Sequence, residues 1–221
     1  MKSQYEEAYA RSLRDPEGFW AAAAEDLYWE RRWDRVFDDS RPPFYRWFTG
    51  GVLNTCYNAL DLHVDRGRGK QRALIYDSPV TGTIITLTYA ELRDEVARVA
   101  GALRRQGIGP GDRVIIYMPM VPEAVVAMLA CARIGAVHSV VFGGFSSDAL
   151  KDRIQDASAK LVITASSGYR RGTIVPLKKT TDAAVAECPT IEHVIVVRRR
   201  AEDDIAMQSD RDVWYLSLIH I

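Results

Sequence analysis

GDRVIIYMPMVPEAVVAMLACARIGAVHSVVFGGF, residues 111–145, decides how this chain folds. RVIIYM is an unbroken apolar run, short enough for a strand buried on both faces. PEAVVAMLACARI follows with Pro122 where a first helical turn tolerates it, and Gly135 stands where a helix ends. HSVVF is a second strand-like run. A strand, a helix of about a dozen residues and another strand form the repeating unit of a parallel sheet. The same region is the most apolar in the chain. Pro119, Pro122, Glu123, Arg133 and His138 interrupt it, however, and argue against a membrane span.

The pattern continues on both sides. Downstream, SSDALKDRIQDAS reads as a helix with Leu150 and Ile154 inward, KLVIT as a strand, LKKTTDAAVAEC as a helix and HVIVV as a strand. Upstream, ALIYDS and TIITLT read as two strands joined by a turn at 79–82. Thr88 and Glu91 have the spacing of a capping box. The helix that box opens puts Leu92, Val96, Val99 and Leu103 on one face and stops at Gly107. The expected fold class is α/β, a largely parallel helix-covered sheet preceded by a helical and irregular amino-terminal wrap. In that wrap, residues 1–60 read as two short helices and an irregular segment whose Trp20, Tyr28, Trp29 and Trp33 suit docking onto another surface. NTCYNALDLHV has helical spacing at Cys56, Leu60 and Val64. Ligands of such sheets sit beyond the carboxyl ends of the strands.

Charge and composition exclude several classes. Twenty-nine basic residues balance 29 acidic ones, so no electrostatic case exists for a nucleic-acid partner. The three cysteines lack the spacing of a zinc site or a disulfide framework, which points to a reducing, cytoplasmic setting. MKSQYEEAYARSLRD has no apolar signal core. RGRGK, residues 66–70, lacks the ending of a phosphate-binding P-loop and reads as a solvated turn. No GxGxxG follows any strand, which disfavours a nicotinamide-dependent oxidoreductase.

Two loops at strand ends could carry function. Phe142-Gly143-Gly144-Phe145 precedes a helix start at Ser146-Ser147; paired glycines let a flat ligand approach the backbone, and a helix start favours an anion. The same residues also suit a tight strand-to-helix turn with both phenylalanines in the core. ASSGYRRGTIVPLKK, residues 165–179, sets Arg170 and Arg171 between Gly168 and Gly172, glycines that permit a turn presenting them. Each arginine can fork onto a phosphate or stack on a purine. A solvent-facing basic loop is the alternative. Together, two such loops on one sheet favour a phosphate-bearing aromatic ligand. His138, in an apolar strand, reads as a hydrogen-bonded core histidine. No Ser/His/Asp or paired-carboxylate pattern stands out, and no catalytic residue or metal ligand is assigned.

Residues 111–165, with DPEGFW, PPFYRWFTGG and LNTCYNALDLHV, closely resemble the amino-terminal half of the short-chain acyl-CoA synthetases. These are AMP-forming acetate and propionate ligases of the adenylate-forming superfamily, and the early segments look more like the propionyl-CoA enzymes. The resemblance implies the first subdomain of the adenylate-forming ligase fold in a two-step enzyme with ATP and CoA as substrates and Mg2+ in the full-length protein. Its partners would be small molecules, with no nucleic acid and no membrane. It implies an acetyl-CoA-synthetase-type extension over residues 1–65 and a partial AMP-binding domain over 66–215. It also implies a CoA site at Phe142, Gly143, Gly144, Arg170, Arg171, Gly172 and Thr173. At Thr173 acetyl-CoA synthetases carry a second arginine, and Arg171 falls where the family often has a small residue. The family's phosphate loop, acyl pocket and lid would follow residue 221, so the chain is expected to be an inactive fragment; a non-catalytic CoA- or nucleotide-binding module is the alternative. Residues 216–221, Leu-Ser-Leu-Ile-His-Ile, are the in-frame translation of CTGTCTCTTATACACATC, a transposase end used in sequencing libraries. They are expected to be adaptor read-through; resequencing the source locus tests this, and a native stop codon after Ile221 would refute it.

Overall fold

The computed structural model describes residues 3–219; His220 and Ile221, part of the terminal hexapeptide, lie outside the described residues. The chain divides into two compact units, Met1–Asn58 and Ala59–Ile221.

In the first unit, Ser3 and Glu6 form a capping box that opens α1 (Gln4–Arg14). The Asp15 carboxylate accepts from the Gly18 N–H at 3.0 Å and starts α2 (Pro16–Ala24). The segment expected to be irregular contains an antiparallel pair, β1 (Arg35–Asp38) and β2 (Arg46–Thr49), with Phe37 opposite Trp47. Trp29 and Trp33 do not face outward for docking: their rings lie 4.9 Å apart and both pack on Phe48, at 5.4 and 5.2 Å. They form a small aromatic core of this unit, while Trp20 and Tyr28 remain exposed.

A helical stretch over residues 55–68 includes π-helical turns at Tyr57–Asp61 and Val64–Arg68. Cys56 and Leu60 are buried as the spacing predicts, but Leu62 replaces Val64 as the next buried residue. The wider π turn shifts the phase of the inward face. Arg66 and Arg68 are exposed at the end of this stretch.

In the second unit, β3 (Arg72–Ser78) and β4 (Thr83–Thr88) pair antiparallel. The Thr88–Glu91 capping box opens α3 (Tyr89–Arg105), which buries Leu92, Val96, Val99 and Leu103. The chain then alternates through β5 (Arg113–Met118), α4 (Pro122–Ile134), β6 (Val137–Phe142), α5 (Ser147–Ala157) and β7 (Leu161–Ala165). A short hairpin, β8 (Gly168–Arg170) and β9 (Thr173–Val175), precedes α6 (Leu177–Val185), β10 (His193–Val197), β11 (Asp212–Trp214) and α7 (Tyr215–Ile219).

Five parallel strands form one sheet in the order β11-β10-β7-β5-β6. The step from β5 to β6 runs one way and the step from β6 to β7 returns across β5. Right-handed crossovers therefore place α4 on one face and α5 with α6 on the other; accordingly α4 packs on α3, and α5 on α6. The direction reverses between β5 and β7, the switch point at which open α/β sheets hold ligands.

HSVVF lies in the edge strand β6 and is not fully buried: Val140 and Phe142 are exposed. His138 is correspondingly half-buried, and its ring makes no hydrogen bond among the described residues, contrary to the expectation of a hydrogen-bonded core histidine. A strand with one neighbour leaves that residue half-covered, and burial lowers the imidazole pKa.

Candidate functional site

The carboxyl ends of β5, β6, β7 and β10 open onto a cleft of about 530 Å³. Its walls are the strand ends and the segments that follow them: Met118 to Met120 at the end of β5, Phe142 to Gly144 at the end of β6, Gly168 to Arg170 after β7, and Arg199 after β10. Tyr76 of β3 closes another side.

Two glycines are small because the backbone runs close to other atoms. A Cβ on Gly143 would lie 3.2 Å from the Met118 carbonyl oxygen, and one on Gly168 would lie 3.3 Å from Leu177 Cδ1. Gly168 thus begins β8 in a tight space and does not form the turn expected of it. The turn is made by Arg171 and Gly172, with φ of 48° and 77°. Two successive positive φ values joining paired residues Arg170 and Thr173 describe a two-residue hairpin loop of the primed kind.

That turn aims Arg170 back over the glycine loop. Its Nη1 donates to the Gly144 carbonyl at 3.3 Å, and its guanidinium carbon lies 5.2 Å from the Phe142 ring centroid. The Thr173 hydroxyl donates to the Arg170 carbonyl at 2.7 Å and steadies the hairpin. From the core, the Tyr117 hydroxyl donates to the Phe145 carbonyl at 2.8 Å and fastens the other end of the loop. Phe142 and Phe145 meet edge to face at 5.8 Å with relative exposures of 57% and 40%, so they do not belong to the core. Ser146 caps α5 by accepting from the Ala149 N–H at 3.3 Å, and neither Ser146 nor Ser147 lines the cleft.

Phe142, Gly143, Gly144 and Arg170 therefore share one cleft, whereas Arg171, Gly172 and Thr173 sit exposed at the hairpin tip, outside its lining. Sequence reasoning missed Arg199, Tyr76 and Tyr169. Arg199 Nη2 donates to the Tyr76 hydroxyl at 2.8 Å, and its guanidinium carbon lies 5.8 Å from the Tyr169 ring. Its backbone N–H donates to Ser166 Oγ at 2.9 Å. Ser166 and Ser167 both donate to the buried Asp203 carboxylate at 2.6 Å, fixing the exit from β7. The available signal was the basic triplet Arg198-Arg199-Arg200 directly after HVIVV, a strand end like the other two.

Among the described residues the lining holds Arg170 and Arg199 against one acid, Asp77, and contains no His, Cys, Lys or Glu. Cationic forks beside aromatic faces suit a phosphate-bearing planar group. Besides the two arginines, the titratable side chains of this lining are Asp77, Tyr76 and Tyr169, and the paired guanidiniums suit holding and orienting an anion.

The family model for AMP-binding enzymes matches residues 62–217, well over half of the chain. This chain belongs to the AMP-binding enzyme family. The model for the acetyl-coenzyme A synthetase N-terminus matches residues 5–59 of the same chain. Among curated relatives, the acetyl-coenzyme A synthetase of Deinococcus radiodurans is 50% identical over 218 residues, covering 99% of this chain and 33% of the relative. That of Streptomyces coelicolor is 52% identical over 209 residues, covering 95% and 32%. The solved acetoacetyl-CoA synthetase from Streptomyces lividans superposes with a TM-score of 0.87 at 29% identity, over 100% of this chain and 33% of that one. The chain thus spans about a third of the length of each of these three proteins. Among the described residues no helix is long and apolar enough to cross a membrane.

Proposed function

We propose that this chain is the amino-terminal third of an AMP-forming short-chain acyl-CoA ligase and that its cleft is part of the CoA site. In the proposed reaction a carboxylate oxygen attacks the α-phosphorus of ATP, and the bond to the β-phosphate bridge breaks to release pyrophosphate. The CoA thiol, losing its proton, then attacks the acyl carbonyl of the acyl-adenylate and displaces AMP. The observation that carries this reading is the Arg170 guanidinium, stacked on Phe142 and bonded to Gly144 at the switch point, in a chain half identical to acetyl-CoA synthetases. Arg170 and the glycine loop would hold the nucleotide end of CoA and orient its thiol toward the adenylate; Arg171, Gly172 and Thr173 would shape the hairpin that delivers Arg170.

Residues 1–65 are assigned to the family's amino-terminal extension and 66–215 to part of the AMP-binding domain. Among the described residues no group of three or more His, Cys, Asp or Glu side chains could hold a metal ion. The Mg2+ that accompanies ATP would be held outside this chain, as the family resemblance implies. The proposed setting is cytoplasmic, with small-molecule substrates, and the chain alone is proposed to be inactive.

The test is to express the complete reading frame and supply carboxylate, ATP and CoA. AMP, pyrophosphate and an acyl-CoA are the expected products; release of ADP and phosphate would refute the assignment. Acetate is the acyl group in the curated relatives' names, while the early segments favour propionate. The expected order of kcat/KM is propionate above acetate, and the reverse order would make the enzyme an acetate ligase.

A further inference from the structure

We infer that Arg199 is the second phosphate-binding arginine of the cleft and supplies the positive charge that Thr173 does not. This rests on the reading of the cleft as a CoA site. Thr173 spends its hydroxyl on the Arg170 carbonyl and lies outside the cleft, and so does Arg171, which the left-handed turn holds exposed at the hairpin tip. Among the described residues Arg199 is the only other cation in the lining.

The Arg199 guanidinium is only partly used by the protein. Nη2 is held by the Tyr76 hydroxyl at 2.8 Å, Nε is buried without a hydrogen-bond partner, and Nη1 makes no hydrogen bond among the described residues. A buried N–H without a partner is unfavourable, and an anion that brings an acceptor relieves it. Tyr76 and Tyr169 lie 6.0 and 5.8 Å from the guanidinium carbon and limit where it can move. The backbone bond to Ser166 ties the residue to the end of β7, beside the hairpin that carries Arg170. Two arginines thus reach one cleft from adjacent strand ends, β7 and β10, with Asp77 the sole opposing charge among the described residues of the lining. A diphosphate or a ribose phosphate carries enough acceptors to bridge both.

The experiment is solution NMR of the 221-residue chain, following the arginine Nε–H signals during titration to millimolar CoA or pantetheine, which lacks every phosphate. CoA is expected to shift the Arg170 and Arg199 signals together, and pantetheine neither. Arg199→Met is expected to weaken CoA binding about tenfold or more, the loss of one charge-assisted contact. Arg199→Lys should restore only part of it, because a point charge replaces a fork. A shift at Arg170 with none at Arg199, or an equal loss of affinity from Arg171→Met and none from Arg199→Met, overturns the inference and leaves the CoA reading standing. No shift at either arginine overturns both. The signals of the unmodified chain decide the matter should a variant fail to fold.

Discussion

A methyl group on Gly144 would lie 2.6 Å from the Phe142 ring and 3.0 Å from the Arg170 guanidinium carbon. Both contacts are with side chains that can swing away, so the fold tolerates the change while the stacked pair does not. Gly144→Ala is expected to move Tm by no more than about 2–4 °C and to raise the KM for CoA several-fold in the complete enzyme. An unchanged KM would mean that the stack does not matter to binding. At Cys131 burial pushes the thiol up to about 12. A thiol held protonated and buried is a poor nucleophile. Its labelling by maleimide at neutral pH is expected to occur at the rate of unfolding; fast labelling of the native chain would contradict the packing around α4.

Helix α6 and strand β11 are joined by a buried ion cluster. Lys178, 1% exposed, lies 2.7 Å from both Asp182 and Asp212, and Arg211 lies 2.6 Å from the same two carboxylates. Removing one partner strands the others. Lys178→Met is expected to destabilise by about 3–5 kcal/mol in urea unfolding, and a change below about 1 kcal/mol would show the cluster to be dispensable. Burial alone would raise the Asp212 pKa, but hydrogen bonds from Arg211 and Lys178 hold it below the ordinary value. A lowered folded pKa gives stability that is present above the unfolded value, about 3.9, and lost as pH falls through the folded one. Acid unfolding below about pH 4 should therefore be shallower in Asp212→Asn than in the parent chain; parallel profiles would contradict the linkage.

The elements legible in the sequence were those with strong local signals. RVIIYM, KLVIT and HVIVV are buried on both faces and read as apolar runs, while Thr88 with Glu91, Pro122 and Gly135 mark helix ends through their own backbone chemistry. The hairpin at Gly168–Val175 escaped because its strands have three residues each and a non-glycine, Arg171, takes a positive φ. The β1–β2 pair escaped for a similar reason: short strands rich in exposed residues carry little alternation. The π turns near Tyr57 displaced Val64 from the core without any local mark in the sequence.

At the scale of the whole molecule, the order β11-β10-β7-β5-β6 creates the cleft. It brings loops 25 to 30 residues apart in the chain, those holding Phe142, Arg170 and Arg199, to one edge of one sheet. The first two of these were readable as Gly-flanked loops at strand ends. Arg199 was marked only by the basic triplet after HVIVV, and its placement beside Tyr76, 123 residues away on β3, has no local mark in the sequence. The resemblance to acyl-CoA synthetases suggested CoA as the proposed ligand, and the sheet order explains why these loops converge.

The most direct test of the account separates the two half-reactions of the complete enzyme carrying Arg170→Ala. Adenylation does not require CoA, and thioester formation does. The account predicts that carboxylate-dependent exchange of pyrophosphate into ATP stays near the parent rate while the KM for CoA rises about tenfold or more. Equal loss of both half-reactions would contradict it.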